Sequence, residues 1–296
     1  MSLIWQTVVT SVHRLGTARW GYVAAALALY VGSLFLVAGR WQRFLRMLGA
    51  SVSVWRAALA GVAGIAVGNL IPSSRLGGEA CRIALVRRSG TVTWQQATVA
   101  AVWDRLSEVP PICVLVIMAV IALRDLPSRW RTLGLAVAAL AVLIAAALGV
   151  RMLRRSSSTL AGWRERLALD KLRFSVFTVA VGLSSLLWLQ DFLRLTCATR
   201  AFGVVLSPTK MATLCVLTMI GGIVPAVAGL GPVEGSLVAG LMAFGVDLPT
   251  AAAITAAERL VSYGFSTSVG SLVVALLGGR SLWSAIRRRT PADQSP

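Results

Sequence analysis

Histidine is nearly absent. His13 is the only one among 296 residues, so the rest of the chain has no histidine for acid–base work or ordinary zinc binding. Acidic residues are scarce as well: 11, against 29 Lys and Arg. The four cysteines (Cys81, Cys113, Cys197 and Cys215) are scattered and form no CxxC pair. Neither a disulfide framework nor a metal site is expected. There is no Gly-Lys-Ser/Thr phosphate loop and no Gly-x-Ser-x-Gly elbow. No cofactor is expected, and any work the protein does must draw on something other than bound nucleotide.

What the chain has in abundance is apolar sequence. Hydrophobic residues make up 57% and charged residues only 14%, which fits a polytopic membrane protein. The net charge of +18 is carried mainly by arginines in short stretches between apolar runs. The positive-inside rule and anionic headgroups account for that placement better than nucleic acid does. Gly21–Gly39 is too long for a signal-peptide core and is followed by Arg40, so it reads as a span. The basic clusters then suggest a path. The N-terminus lies outside, Arg40 to Arg56 face the cytoplasm, and Thr91–Ala122 crosses outward. Leu133–Val150 crosses back to a basic loop at 151–173. Phe174 to about Phe202 crosses outward, and Thr250–Leu277 returns to a cytoplasmic tail at 279–296.

Two similar stretches interrupt this path. The first is Gly68-Asn-Leu-Ile-Pro-Ser-Ser-Arg-Leu-Gly-Gly-Glu-Ala-Cys-Arg82, and the second is Gly221-Gly-Ile-Val-Pro-Ala-Val-Ala-Gly-Leu-Gly-Pro-Val-Glu234. Each precedes a long apolar segment with an acid–arginine pair, Asp104-Arg105 and Glu258-Arg259, at a separation of 154 residues. Pro72 and the pair Gly77-Gly78 suggest a broken helix hairpin with its turn at 72–78. The expectation is an all-α polytopic membrane protein with an inverted-topology repeat, two re-entrant hairpins and about five full spans. Repeat one covers about 21–123, a linking span 132–150, and repeat two about 174–278. The whole is a single transmembrane domain.

An arginine or aspartate facing lipid at mid-bilayer costs about 2.5–3.5 kcal/mol on insertion scales. Arg105, Arg259, Glu79 and Glu234 must therefore pair or line a wet cavity. Glu108 lies one turn beyond Arg105, within reach of it. Glu234 is the expected partner of Arg259. Helix arms starting near Gly78 and Pro232 would present free N–H groups, and Gly229 and Gly231 would admit a headgroup. The candidate substrate-binding set is Arg75, Gly77, Gly78, Glu79, Arg82, Asp104, Arg105, Glu108, Gly229, Gly231, Glu234, Glu258 and Arg259. In it, Arg105 and Arg259 hold a lipid phosphate, helped by Arg75 and Arg82. The plainer alternative is that Glu79 and Glu234 only cap helices and satisfy arginines. Asp191 with Arg194 reads as an interfacial pair.

On these motifs the chain resembles the transmembrane, flippase-like domain of lysylphosphatidylglycerol synthases and its stand-alone relatives, from about Arg40 to Gly278. The resemblance implies an inner-membrane protein that moves lipids or lipid-linked molecules between leaflets. Candidate cargoes are a phospholipid, a polyprenyl-phosphate-linked sugar or a hopanoid-like lipid. No aminoacyl-transfer domain follows residue 296 in the sequence, so aminoacylation is not expected. A non-transporting partner of lipid-synthesis enzymes and an intramembrane lipid-modifying enzyme are the alternatives. Self-association is possible, and nucleic acid is not an expected partner.

Overall fold

The computed structural model describes residues 3–70, 74–88, 90–122, 173–222 and 231–276, and every element among them is helical. Four helices are long and apolar enough to span a membrane: Trp20–Met47, Trp94–Ala122, Phe174–Ala201 and Leu248–Leu276. Each has 28 or 29 residues, about 42 Å at 1.5 Å per residue, against a hydrocarbon layer of about 30 Å. The expected fifth span at Leu133–Val150, the basic loop before Arg173 and the tail at 279–296 lie outside the described residues.

In chain order the helices are α1 (Leu3–Gly16), α2 (Trp20–Met47), α3 (Val54–Leu70), α4 (Ser74–Arg87), α5 (Trp94–Leu106), α6 (Val109–Ala122), α7 (Phe174–Ala201), α8 (Pro208–Gly221), α9 (Pro232–Ala243) and α10 (Leu248–Arg259). The last span continues from α10 through a π-helical turn at Leu260–Gly264. The repeat is finer than the motifs alone suggest. Trp20 and Phe174, Val54 and Pro208, and Trp94 and Leu248 open matching helices, each pair 154 residues apart. Matching ends are built by matching chemistry. Ser53 Oγ accepts from Arg56 N at 3.3 Å and Ser207 Oγ from Lys210 N at 3.5 Å, so both hairpins begin on a serine cap. Thr93 caps α5 and Asp247 caps α10. α2 and α7 both end on a left-handed glycine, Gly49 at φ 85° and Gly203 at φ 76°.

The two units run in opposite directions. α2 and α7 pack along each other as a central pair, with Arg40 against Ser184 at one level and Tyr30 against Arg194 at another. Rising numbers in one helix meet falling numbers in the other, so the pair is antiparallel. An approximate two-fold axis passes between them and exchanges the units. Other contacts obey the same exchange: α3 of the first unit reaches the last span of the second, and α8 of the second packs on α6 of the first. Each unit keeps its own apolar core, one around Trp41, Phe44, Leu45 and Ala97, the other around Leu195, Leu214, Leu237 and Ile254.

The hairpin arms hold 17, 14, 14 and 12 described residues; the last three fall below the roughly 17–25 of a single crossing, and the first is at its lower limit. The first crosses where Gly64 meets Gly78. A Cβ on Gly78 would lie 2.6 Å from the Gly64 carbonyl oxygen. The second crosses at Gly221, where a Cβ would lie 2.7 Å from the Pro232 carbonyl oxygen. Close backbone approach replaces the hydrophobic effect that lipid cannot supply. This corrects the expected role of Gly77 and Gly78. α4 starts at Ser74, so both glycines lie inside a helix, where Gly78 serves packing and not the turn.

Both long arginine helices are deformed just past their midpoint pair. The first breaks at Ser107-Glu108 between α5 and α6, ahead of Pro110-Pro111, and the second passes into the π turn immediately after Arg259. Proline explains the first, because neither ring nitrogen can donate to the preceding turn. The second is a local π insertion, a feature frequent at functional sites.

Candidate functional site: two buried ion clusters

The first cluster is a closed ring of six side chains with alternating charge. Arg40 Nε donates to Asp104 Oδ1 at 2.6 Å. Asp104 Oδ2 accepts from Arg82 Nη2 at 3.3 Å. Arg82 Nη1 stands 3.5 Å from Glu79. Glu79 pairs with Arg105, Arg105 Nη1 with Glu108 Oε1 at 3.2 Å, and Glu108 with Arg40 Nη2 at 2.5 Å, which closes the circuit. Arg40 also donates to Ser184 Oγ of the other unit at 2.8 Å, and the Arg82 guanidinium lies 3.8 Å over the Trp41 ring. Burial is graded around the ring. The Asp104 and Arg40 side chains are 0% and 1% exposed, Glu79 25%, and Arg105 58%. One edge is sealed in protein and Arg105 forms the open edge.

Among the described residues the second cluster is a chain that does not close. Asp191 Oδ1 accepts from Arg194 Nη2 at 3.1 Å, and Arg194 pairs with Glu258. Arg259 Nε stands 3.0 Å from Glu234 Oε1 and 3.6 Å from Glu258 Oε2. Neither contact has hydrogen-bond geometry, and both carboxylate oxygens are buried. Glu234 Oε2 accepts from the Gly231 N–H at 2.6 Å, where Gly231 sits at φ 103° ahead of Pro232. Three carboxylates here face two guanidiniums; in the first ring the numbers are equal. The missing cation has an address. Three positions beyond the hairpin glutamate, where the first unit has Arg82 after Glu79, the second has Leu237 after Glu234, fully buried in its apolar core.

Several expected site residues change role. Arg82 is 5% exposed and clamped by Asp104, Glu79 and Trp41, which makes it a buried member of the ring. Asp104 and Glu258 are buried behind the arginines and act as their counter-charges. At the α9 N-terminus Glu234 occupies the Gly231 N–H, so that donor is not open to an anion. The free N–H groups expected near Gly78 are absent because α4 begins a turn earlier. Arg75 lies in α4 with its side chain outside the described set, and Gly229 lies outside the described residues. Glu79, Arg105 and Glu108 converge in one cluster; Glu234, Glu258 and Arg259 converge in the other.

Two essential members, Arg40 and Arg194, were not among the expected site residues. Arg40 reads in sequence as the basic end of a short span, and Arg194 as half of an interfacial pair. Their side chains are 1% and 14% exposed, each paired to the buried acid of its own unit. The clue was available, since the two stand 154 residues apart like the motifs themselves.

An antiparallel pair of helical units, each with a short hairpin and a charged cluster near mid-span, defines a multi-pass membrane protein of the inverted-repeat class. Its family follows from comparison. Residues 3–270 match the model of the lysylphosphatidylglycerol synthase TM region, and the chain belongs to that family. It is 26% identical to a UPF0104 membrane protein of Methanothermobacter thermautotrophicus over 291 positions, covering 87% of this chain and 86% of the relative. A UPF0104 membrane protein of Pyrococcus horikoshii is 23% identical over 314 positions, with 92% of each chain covered. No solved structure matches.

Proposed function

We propose that this protein is a lipid transporter that moves an anionic or phosphate-linked lipid between leaflets, with Arg105 and Arg259 as the headgroup contacts. The observation that carries this reading is the placement of those two arginines. They occupy equivalent positions in opposed units, near the middle of spanning helices, and neither is sealed: their side chains are 58% and 22% exposed. Each is held by carboxylates that a phosphate can replace. A guanidinium exchanges one anionic partner for another without passing through an unpaired state, which keeps the cost of binding low in a poor dielectric. Glu79, Glu108 and Glu234 are then the releasing groups, while Arg40 and Arg194 fix the buried acids. The protein converts no substrate chemically. In this reading it sits in a bacterial cytoplasmic membrane with its N-terminus outside and its C-terminus in the cytoplasm.

Reconstitution tests this directly. Vesicles containing the protein should exchange a labelled phosphatidylglycerol between leaflets faster than protein-free vesicles, with the lipid's mass unchanged. A mass change would indicate an enzyme. Exchange at the protein-free rate would point to a partner subunit of a lipid-synthesis complex.

A further inference from the structure

We propose a second lipid site outside the ion clusters: a groove between the end of α2 and the start of α7 that binds an anionic phospholipid headgroup from one leaflet. The groove is open, with room for about 460 Å³, and its lining includes Arg43, Arg46 and Arg173 together with Met47, Val176 and Val179. All three arginines are exposed, and none of the described residues lining the groove is acidic. Arg43 Nη1 donates to Gly39 O at 3.0 Å, one turn back along α2, which fixes its guanidinium against the helix.

Depth and composition select the occupant. Met47 is the last residue of α2 and Phe174 the first of α7, so the arginines stand at headgroup level. Val176 and Val179 lie further along α7, toward the membrane interior, where an acyl chain would run; Val179 is 48% exposed. A soluble anion would use the arginines and leave the valines unsatisfied. A phospholipid uses both.

The pseudo-symmetry supplies a control. Equivalent positions at the opposite membrane face carry Arg200 for Arg46 and Arg19 for Arg173, but Cys197 for Arg43. The fold therefore does not require the third arginine. On the proposed orientation, the richer groove faces the cytoplasmic leaflet, where anionic headgroups attract basic residues. The site does not depend on transport by Arg105 and Arg259.

The test uses full-length protein in neutral detergent carrying R105Q and R259Q, so that the ion clusters contribute little binding, with the wild type run in parallel. Short-chain phosphatidylglycerol, phosphatidylcholine and inorganic phosphate are titrated in turn. Phosphatidylglycerol should bind tightest, and each of R43Q, R46Q and R173Q should weaken it about fivefold, the worth of one arginine near a charged lipid surface. R19Q with R200Q should leave the affinity unchanged. Equal binding by the R43Q/R46Q/R173Q variant, or by phosphate alone, would overturn the proposal.

Discussion

The two ion clusters share a scaffold and differ in closure. In the first, Arg40 and Asp104 anchor a ring in which every carboxylate meets two guanidiniums. In the second, Arg194 and Glu258 repeat the anchor, but Leu237 stands in the place of Arg82 and the circuit among the described residues stays open. A two-fold fold therefore carries a site that is not two-fold. The closed ring holds its charges rigidly, and the open chain leaves buried carboxylate oxygens of Glu234 and Glu258 without hydrogen bonds. Unmet hydrogen bonding in a low dielectric is costly, so the second cluster is the one more easily rearranged.

Substitution at the anchors should show this difference most strongly. Asp104→Asn leaves Arg40 and Arg82 short of a buried counter-charge and should cost about 3–5 kcal/mol, enough to lose most folded protein in detergent. Glu258→Gln should cost less, about 1–3 kcal/mol, because Arg194 keeps Asp191. Thermal unfolding followed by size-exclusion fluorescence measures both, and equal losses would break the comparison.

Arg82→Leu writes the second cluster's residue into the first. It should destabilise the protein by about 2–4 kcal/mol through lost pairing and lost stacking on Trp41. Adding Asp104→Asn to Arg82→Leu should cost less than the sum of the two single changes, by about 0.5–3 kcal/mol, because the two contact each other. Simple additivity would mean that the ring is not a unit.

Packing gives a smaller contrast. Gly78→Ala forces a methyl group against the Gly64 carbonyl oxygen and should cost about 1–3 kcal/mol. Gly182→Ala, where a Cβ meets nothing within 4 Å, should be neutral or slightly stabilising. Thermal unfolding of the two variants side by side checks this.

The helix caps give the smallest effect. The Thr250 hydroxyl, donating at 2.8 Å, holds Asp247 below the ordinary aspartate range, with help from the Thr250 N–H and Arg14. A lowered carboxylate stabilises the fold above its unfolded-state value, near 3.9, and loses that contribution as pH falls through the lower folded value. The side chain is 54% exposed, so solvent screens the effect to a few tenths of a kcal/mol. Unfolding of Asp247→Asn and wild type from pH 7 to 3 should show a gap that narrows in acid. Thr93→Ala, in the equivalent cap, should show a gap with no such pH dependence.

Much of the fold was legible because its signals are local. Apolar length marked the spans, and the spacing of the Asp104-Arg105 and Glu258-Arg259 pairs gave the repeat. What stayed hidden depends on neighbours far along the chain. Arg40 looks like a loop residue until Asp104, 64 positions away, is seen beside it. Arg82 looks like a free cation until Trp41 closes over it. Gly78 looks like a turn until Gly64 meets it across the hairpin. Charge in a membrane is assigned by its partner, and partners are chosen in three dimensions.

The central claim is that both half-sites lie on one lipid path through Arg105 and Arg259. Its most direct test is leaflet exchange of labelled phosphatidylglycerol in vesicles holding wild type, R105Q, R259Q or the double variant, each confirmed folded. The account predicts a loss of at least about tenfold for either single change, equivalent to 1.4 kcal/mol or more, with the double variant no worse than the slower single. Wild-type exchange by a folded double variant would contradict it.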